Sequence, residues 1–63
     1  MAVTLTGDIA LREGAAMDSS EVAQLHSGDV FEVLELAGKN AWGIAPAKGL
    51  VGYVLATAVG GHA

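Results

Sequence analysis

The chain has 63 residues, no cysteine, a net charge of −4 and 52% hydrophobic residues. This length fits one small domain, and the lack of cysteine excludes disulfides and thiolate metal sites. Three cations, Arg12, Lys39 and Lys48, are too few for the basic patch that nucleic acids and anionic membranes require. So much apolar surface in so small a domain predicts contact with another copy or another domain, unless the many Ala and Gly residues inflate the hydrophobic count.

The first half of the chain predicts short strands separated by loops. Residues 3–6 are a first strand or lead-in, and residues 8–12 alternate between apolar and polar side chains, as a strand requires. Residues 13–20 have no periodicity and indicate a long loop. Residues 21–25 read as a strand, although a short helix over 19–25 that starts at a serine cap is the alternative. Residues 26–29 are a predicted turn, in which Gly28 is free to adopt positive φ.

The second half predicts a strand over 30–36, with a bulge near 34–36, followed by a turn at 38–40. A hairpin of residues 41–46 and 50–54 follows, and residues 56–59 fit one closing turn of 3-10 helix. Five short strands with glycine turns favour a small all-β barrel over 1–59, with 60–63 as a disordered tail. An OB-fold is the alternative, but this chain is short, acidic and poor in aromatic residues. The predicted core comprises Leu5, Ile9, Leu11, Val22, Leu25, Phe31, Val33, Ile44, Val54 and Val59.

Two segments carry a family resemblance. Ala41-Trp42-Gly43 and Gly49-Leu50-Val51-Gly52-Tyr53-Val54, in the order of elements above, resemble a bacterial SH3 (SH3b) domain over residues 8–59. These segments look most like the N-terminal SH3 domain of NlpC/P60 peptidases. The resemblance implies a five-stranded SH3-like barrel that is not itself an enzyme. It also implies a neighbouring Cys-His hydrolase domain, and a role in positioning peptidoglycan stem peptides.

The chain departs from that family at one position and from peptide-binding eukaryotic SH3 domains more broadly. Asn40 stands where the family often has a second aromatic residue. Three aromatic residues in the whole chain are too few for the stacked ridges of a polyproline groove. We therefore exclude a proline-rich ligand, and the ligand that the family resemblance implies is a cell-wall peptide.

Four residues are candidate ligand contacts: Trp42, Tyr53, Glu13 and Asp18. The indole of Trp42 could form the floor of a groove or pack in the barrel, and Tyr53 could bind ligand or cap the closing turn. Glu13 and Asp18 in the long loop could pair with a peptide ammonium or remain solvated. Glu32 and Glu35 are three apart and are predicted to face opposite sides of a strand.

No catalytic or metal site is predicted. His26 is predicted to stand alone in a turn, while Ser19, Ser20 and Ser27 have no base beside them in the sequence. We therefore expect no enzymatic activity, no cofactor and no metal.

The alternative to ligand binding is a structural module that forms a homodimer. Residues 49–63 carry no charged side chain, and Leu50, Val51 and Leu55 are the predicted self-association surface. The N-terminus lacks the basic and apolar regions of a signal peptide, which predicts a cytoplasmic protein or a fragment of a longer chain.

Overall fold

The computed structural model describes residues 1–16 and 18–59, and it is all-β apart from one short helical turn. The elements are β1 (Ala2–Thr4), β2 (Ile9–Arg12), β3 (Glu21–Leu25), β4 (Val30–Ala37), β5 (Asn40–Ala45), β6 (Leu50–Leu55) and a 3-10 helix (Ala56–Val59). All strand pairs are antiparallel, in the order β1-β4-β5-β6-β2-β3. The all-β prediction and the closing 3-10 turn are thus confirmed. The described part of the chain contains no helix long and apolar enough to cross a membrane.

The strand count and the closure differ from the sequence prediction. There are six strands rather than five, because β1 pairs with β4 as a strand of its own. The strands form one open sheet between β1 and β3, so the closed five-stranded barrel is not confirmed. Pairing with β2 makes residues 21–25 a strand and excludes the helical alternative. The predicted tail at 60–63 lies outside the described residues.

The core lies on one face of the sheet and draws on every element. The buried apolar residues are Val3, Leu5, Leu11, Leu25, Phe31, Val33, Ala41, Ala45, Val54, Ala58 and Val59. Among the predicted core residues, Ile9 is half-buried and packs against this cluster, whereas Ile44 is half-buried on the opposite face.

Val22 was predicted to be buried, and this is wrong, since its side chain is 40% exposed. Val22 and Leu25 are three residues apart, so they cannot share a face of a regular strand. Leu25 and Ala23 take the inner face instead. The irregular pairing of β2 with β3 leaves Val22 without a directly opposite residue, because Ala23 lies opposite Leu11 and Glu21 opposite Arg12.

Two local predictions about the backbone are confirmed. Gly28 has φ 92° in the turn before β4, a conformation that L side chains rarely adopt. The β4–β5 register shifts between Val33 and Glu35, which is the predicted bulge. This bulge decides which side chains of β4 reach the outer side of the sheet.

Candidate functional site

Strands β5 and β6 present a largely apolar surface on the side of the sheet away from the core. Along β5, the buried residues Ala41, Gly43 and Ala45 alternate with half-buried ones, and β6 alternates in the same way. The register places Trp42 directly opposite Tyr53. We define the outer face as Asn40, Trp42, Ile44, Val51, Tyr53 and Leu55.

The two aromatic residues of the outer face form one cross-strand pair. Side chains directly opposite each other in an antiparallel pair have Cβ atoms about 4.5–5.5 Å apart, close enough for aromatic rings to contact. Trp42 and Tyr53 are both half-buried, whereas Phe31, the third aromatic residue, is fully buried in the core. The pair therefore places two half-buried aromatic side chains next to each other at the centre of the outer face.

Two carboxylates of β4 flank this surface. Glu35 lies opposite Trp42, and Glu32 lies opposite Ile44. Because Trp42 and Ile44 share the outer face, so do both glutamates, and the prediction that they face opposite sides of the strand is wrong. The bulge supplies the reason: the extra residue, Leu34, restores the same orientation three positions along the strand.

A buried arginine holds the β2–β3 loop at one end of the outer face. Arg12, opposite Tyr53 in the register, is only 6% exposed. Its Nη1 donates hydrogen bonds to the carbonyl oxygens of Ala15 (3.2 Å) and Ala16 (2.9 Å), and its Nη2 donates to Oδ1 of Asn40. Asn40 Nδ2 in turn donates to the carbonyl of Ala15 at 3.1 Å. The loop is thereby fixed beside the outer face.

Sequence reasoning missed this arrangement around Arg12. As the last residue of an alternating strand, Arg12 reads as an exposed polar position, and its partners are loop carbonyls and an amide 28 residues away. The base of the loop is closed by the Glu13 N–H, which donates to Ser20 O at 2.9 Å. Burial of Arg12 results from the loop folding over it, which a strand pattern does not reveal.

The loop carries the two acidic candidates. Glu13 and Asp18 are both exposed to solvent. The structure brings Trp42 and Tyr53 together in the sheet, and it holds the loop that bears Glu13 and Asp18 at the Asn40 end of the same face. Within the loop, Ser19 Oγ lies 2.7 Å from Gly14 O and 2.6 Å from Ala16 O, and its single proton can be donated to either carbonyl, so this hydroxyl stabilises the loop.

The three residues of the predicted self-association surface lie on two different sides of the sheet. Leu50 is on the inner side and packs against the core. Val51 (49% exposed) and the half-buried Leu55 belong to the outer face. Leu50 therefore does not form one continuous surface with the other two.

His26 lies close to a carboxylate that is distant in the sequence. Its Nδ1 is 3.7 Å from Asp8 Oδ1, and both side chains are about two-thirds exposed, at 64% and 66%. The same Asp8 oxygen accepts from Ser27 N–H at 3.0 Å, and Asp29 Oδ2 accepts from His26 N–H at 2.8 Å. These bonds fix the turn before β4. Within residues 1–16 and 18–59, no three His, Cys, Asp or Glu residues are grouped so that they could hold a metal ion.

Comparison with known proteins identifies no relative of this chain. No protein-family model, curated protein or solved structure matches the chain. Its functional interpretation therefore depends on the geometry of the outer face and on the motif resemblance of its hairpin.

Proposed function

We propose that this chain is a non-catalytic SH3-like module that binds or positions a peptide on its outer face. The ligand class we propose is the peptidoglycan stem peptide, following the resemblance of the β5–β6 hairpin to the SH3 domains of NlpC/P60 peptidases. One observation carries the proposal: Trp42 and Tyr53 are paired on the outer face rather than buried in the core.

The cost of placing these rings outside the core supports a binding role. At 0.05–0.15 kcal/mol per residue, a 63-residue domain has a total stability of about 3–9 kcal/mol. Fully burying one large apolar side chain contributes about 1.5–3 kcal/mol. A cross-strand pair on the surface contributes only about 0.2–1 kcal/mol. Stability alone would favour rings in the core, so contact with a ligand is the better explanation for two outward rings.

The loop and the carboxylates determine the orientation of the proposed peptide ligand on the outer face. In this proposal the peptide lies along the aromatic pair with its ammonium end towards acidic groups. Glu35, opposite Trp42, and the loop residues Glu13 and Asp18 are the candidates for that contact. Arg12 has a positioning role, because it holds the loop beside Asn40.

The 3-10 helix supports an SH3-like closure. Thr6, just after β1, donates from its N–H (3.0 Å) and its Oγ1 (3.3 Å) to the carbonyl oxygen of Ala58. These bonds tie the β1 end of the sheet to the helix that follows β6. We propose that these hydrogen bonds close the barrel in place of direct pairing between its first and last strands.

A fluorescence titration tests the function, because Trp42 is the only tryptophan in the chain. The dipeptide L-Ala-γ-D-Glu should change its emission in a saturable way, and the α-linked L-Ala-L-Glu should bind more weakly. Tyr53→Leu should weaken binding at least about tenfold, which corresponds to 1.4 kcal/mol, while Lys48→Ala in the β5–β6 turn should not. Unchanged emission at millimolar peptide, or equal affinity of the Tyr53 variant, would contradict the proposal.

A further inference from the structure

Part of β4 is an open sheet edge. Strand β1 covers only the start of β4: Ala2 lies opposite Glu32, and Val33 N–H donates to Met1 O at 2.8 Å. Strand β4 continues to Ala37, with β5 on its other side. On the β1 side, residues 34–37 have no neighbouring strand in the part of the chain that the structure describes.

The backbone of Leu36 points towards this open edge. The β4–β5 hairpin turns through two residues, Gly38 and Lys39, so Ala37 and Asn40 are the pair that closes it. The closing pair of a two-residue hairpin exchanges hydrogen bonds across the strands, and alternate residues direct their N–H and C=O groups to the other side. Leu36, next to Ala37, therefore offers one donor and one acceptor to an added strand.

The side chains of this edge are apolar and exposed. Leu36 is 66% exposed, the highest value for any large apolar residue in the described part of the chain, and Leu34 is 50% exposed. An edge strand with free backbone groups and exposed leucines favours the addition of another strand.

We propose that a second copy of this chain pairs with this edge, as an antiparallel two-fold dimer centred on Leu36. In this register Leu36 of each copy lies opposite Leu36 of the other, and their backbone groups form two hydrogen bonds. The two leucine side chains then leave water together.

The charges beside Leu36 favour a second copy over an unrelated strand. Glu35 precedes Leu36, and Lys39 follows Leu36 three residues later. The backbone of Lys39 is fixed, because the Lys39 carbonyl accepts from Ala56 N–H at 2.8 Å. Two-fold antiparallel pairing brings Lys39 of each copy diagonally close to Glu35 of the other. Two chains of net charge −4 have a net repulsion, and this stretch supplies opposite charges in a self-complementary order.

The interface is short, so we expect a weak dimer. It contains about four residues of each strand, and interfaces below about 1,200 Å² in total are typical of weak association. The dimer should therefore appear with rising concentration, between tens of micromolar and one millimolar. The aromatic pair on the outer face takes no part in it, so loss of peptide binding in Tyr53→Leu should leave the dimer unchanged.

Charge exchange provides the test. In sedimentation equilibrium, the dimer dissociation constant of Glu35→Lys alone should be at least about tenfold higher than that of the original chain, and the same holds for Lys39→Glu alone. An equimolar mixture of the two variants should form a heterodimer, since each then faces opposite charges. Neither variant should change the melting temperature appreciably, because both residues are exposed.

Crosslinking locates the interface independently. The chain has no cysteine, so Leu36→Cys introduces a single thiol that should oxidise to a covalent dimer. Val51→Cys, at an apolar position that is 49% exposed on the outer face, is the matched control and should crosslink poorly.

Three outcomes would overturn the proposal. A monomeric mass up to one millimolar would do so and leave the edge for a strand of another protein. A dimer insensitive to both charge variants would place the contact elsewhere. More efficient crosslinking of the Val51→Cys variant than of the Leu36→Cys variant would place it on the outer face.

Discussion

Gly43 and Gly52 lie directly opposite each other on β5 and β6, on the inner side of the sheet. A Cβ on Gly43 would lie 1.9 Å from the backbone oxygen of Glu32 and 3.0 Å from the ring of Phe31. A Cβ on Gly52 would lie 2.5 Å from the backbone oxygen of Arg12 and 2.9 Å from Cγ of Leu11. Two missing side chains thus make room for two of the largest core residues and for the close approach of the neighbouring strands.

We expect Gly43→Ala to destabilise the domain by about 1–3 kcal/mol or more, because the added methyl group meets backbone that cannot move freely. Gly7→Ala is the matched control: a Cβ there has no atom within 4 Å, and the φ of Gly7 is not positive. The control should stay within about 0.5 kcal/mol of the original chain. Urea denaturation of both variants measures the difference in stability. Equal midpoints would show that β4 and β5 leave room for a methyl group at Gly43.

Phe31→Ala should cost about 3–5 kcal/mol, because it removes the largest fully buried side chain and leaves a cavity. Compared with a total stability of about 3–9 kcal/mol, this loss removes at least about a third of the total, so the melting temperature should fall steeply. Val22→Ala, at the residue that lies outside the core, should cost less than about 1 kcal/mol. Circular dichroism during thermal unfolding checks both. A Phe31→Ala protein with an unchanged melting temperature would remove Phe31 from the core.

Arg12→Met should loosen the β2–β3 loop selectively. The substitution keeps an apolar chain of similar length but removes the donors to the carbonyls of Ala15 and Ala16. Because both alanines are exposed, water can replace these donors, and each lost hydrogen bond should cost about 0.5–1.5 kcal/mol. Amide exchange should accelerate at Glu13 and Ser19, whose N–H groups bond within the loop, before it changes in β5. Lys48→Met is the control at an exposed turn. Uniform loss of protection in all strands would show that Arg12 supports the whole sheet instead.

Most strands and turns could be predicted from the alternation of apolar and polar side chains and from the glycines between the strands. Strand β3 has the predicted bounds, and the bulge, the closing turn and most of the core residues were also correct. These features are local, since a few neighbouring side chains determine each of them.

Most errors came from effects that local patterns do not contain. Glu32 and Glu35 were misplaced because the bulge shifts the alternation of side chains along β4. Val22 is the exception, since its separation of three residues from Leu25 already places the two on opposite faces of a strand. The anchoring of the loop by Arg12 and Asn40 joins residues 28 positions apart. The pairing of Asp8 with His26 likewise depends on the tertiary fold. Trp42 and Tyr53 were chosen from the sequence, but their pairing on the outer face required the β5–β6 register.

Binding of a stem peptide to the outer face can be mapped residue by residue through backbone amide shifts during titration with L-Ala-γ-D-Glu. We expect saturable shifts concentrated at Trp42, Tyr53 and Ile44 and in the loop held by Arg12, with β1 unaffected. We also expect these shifts to disappear in a folded Tyr53→Leu variant. Shifts confined to other parts of the sheet, or none at millimolar peptide, would contradict the proposed binding.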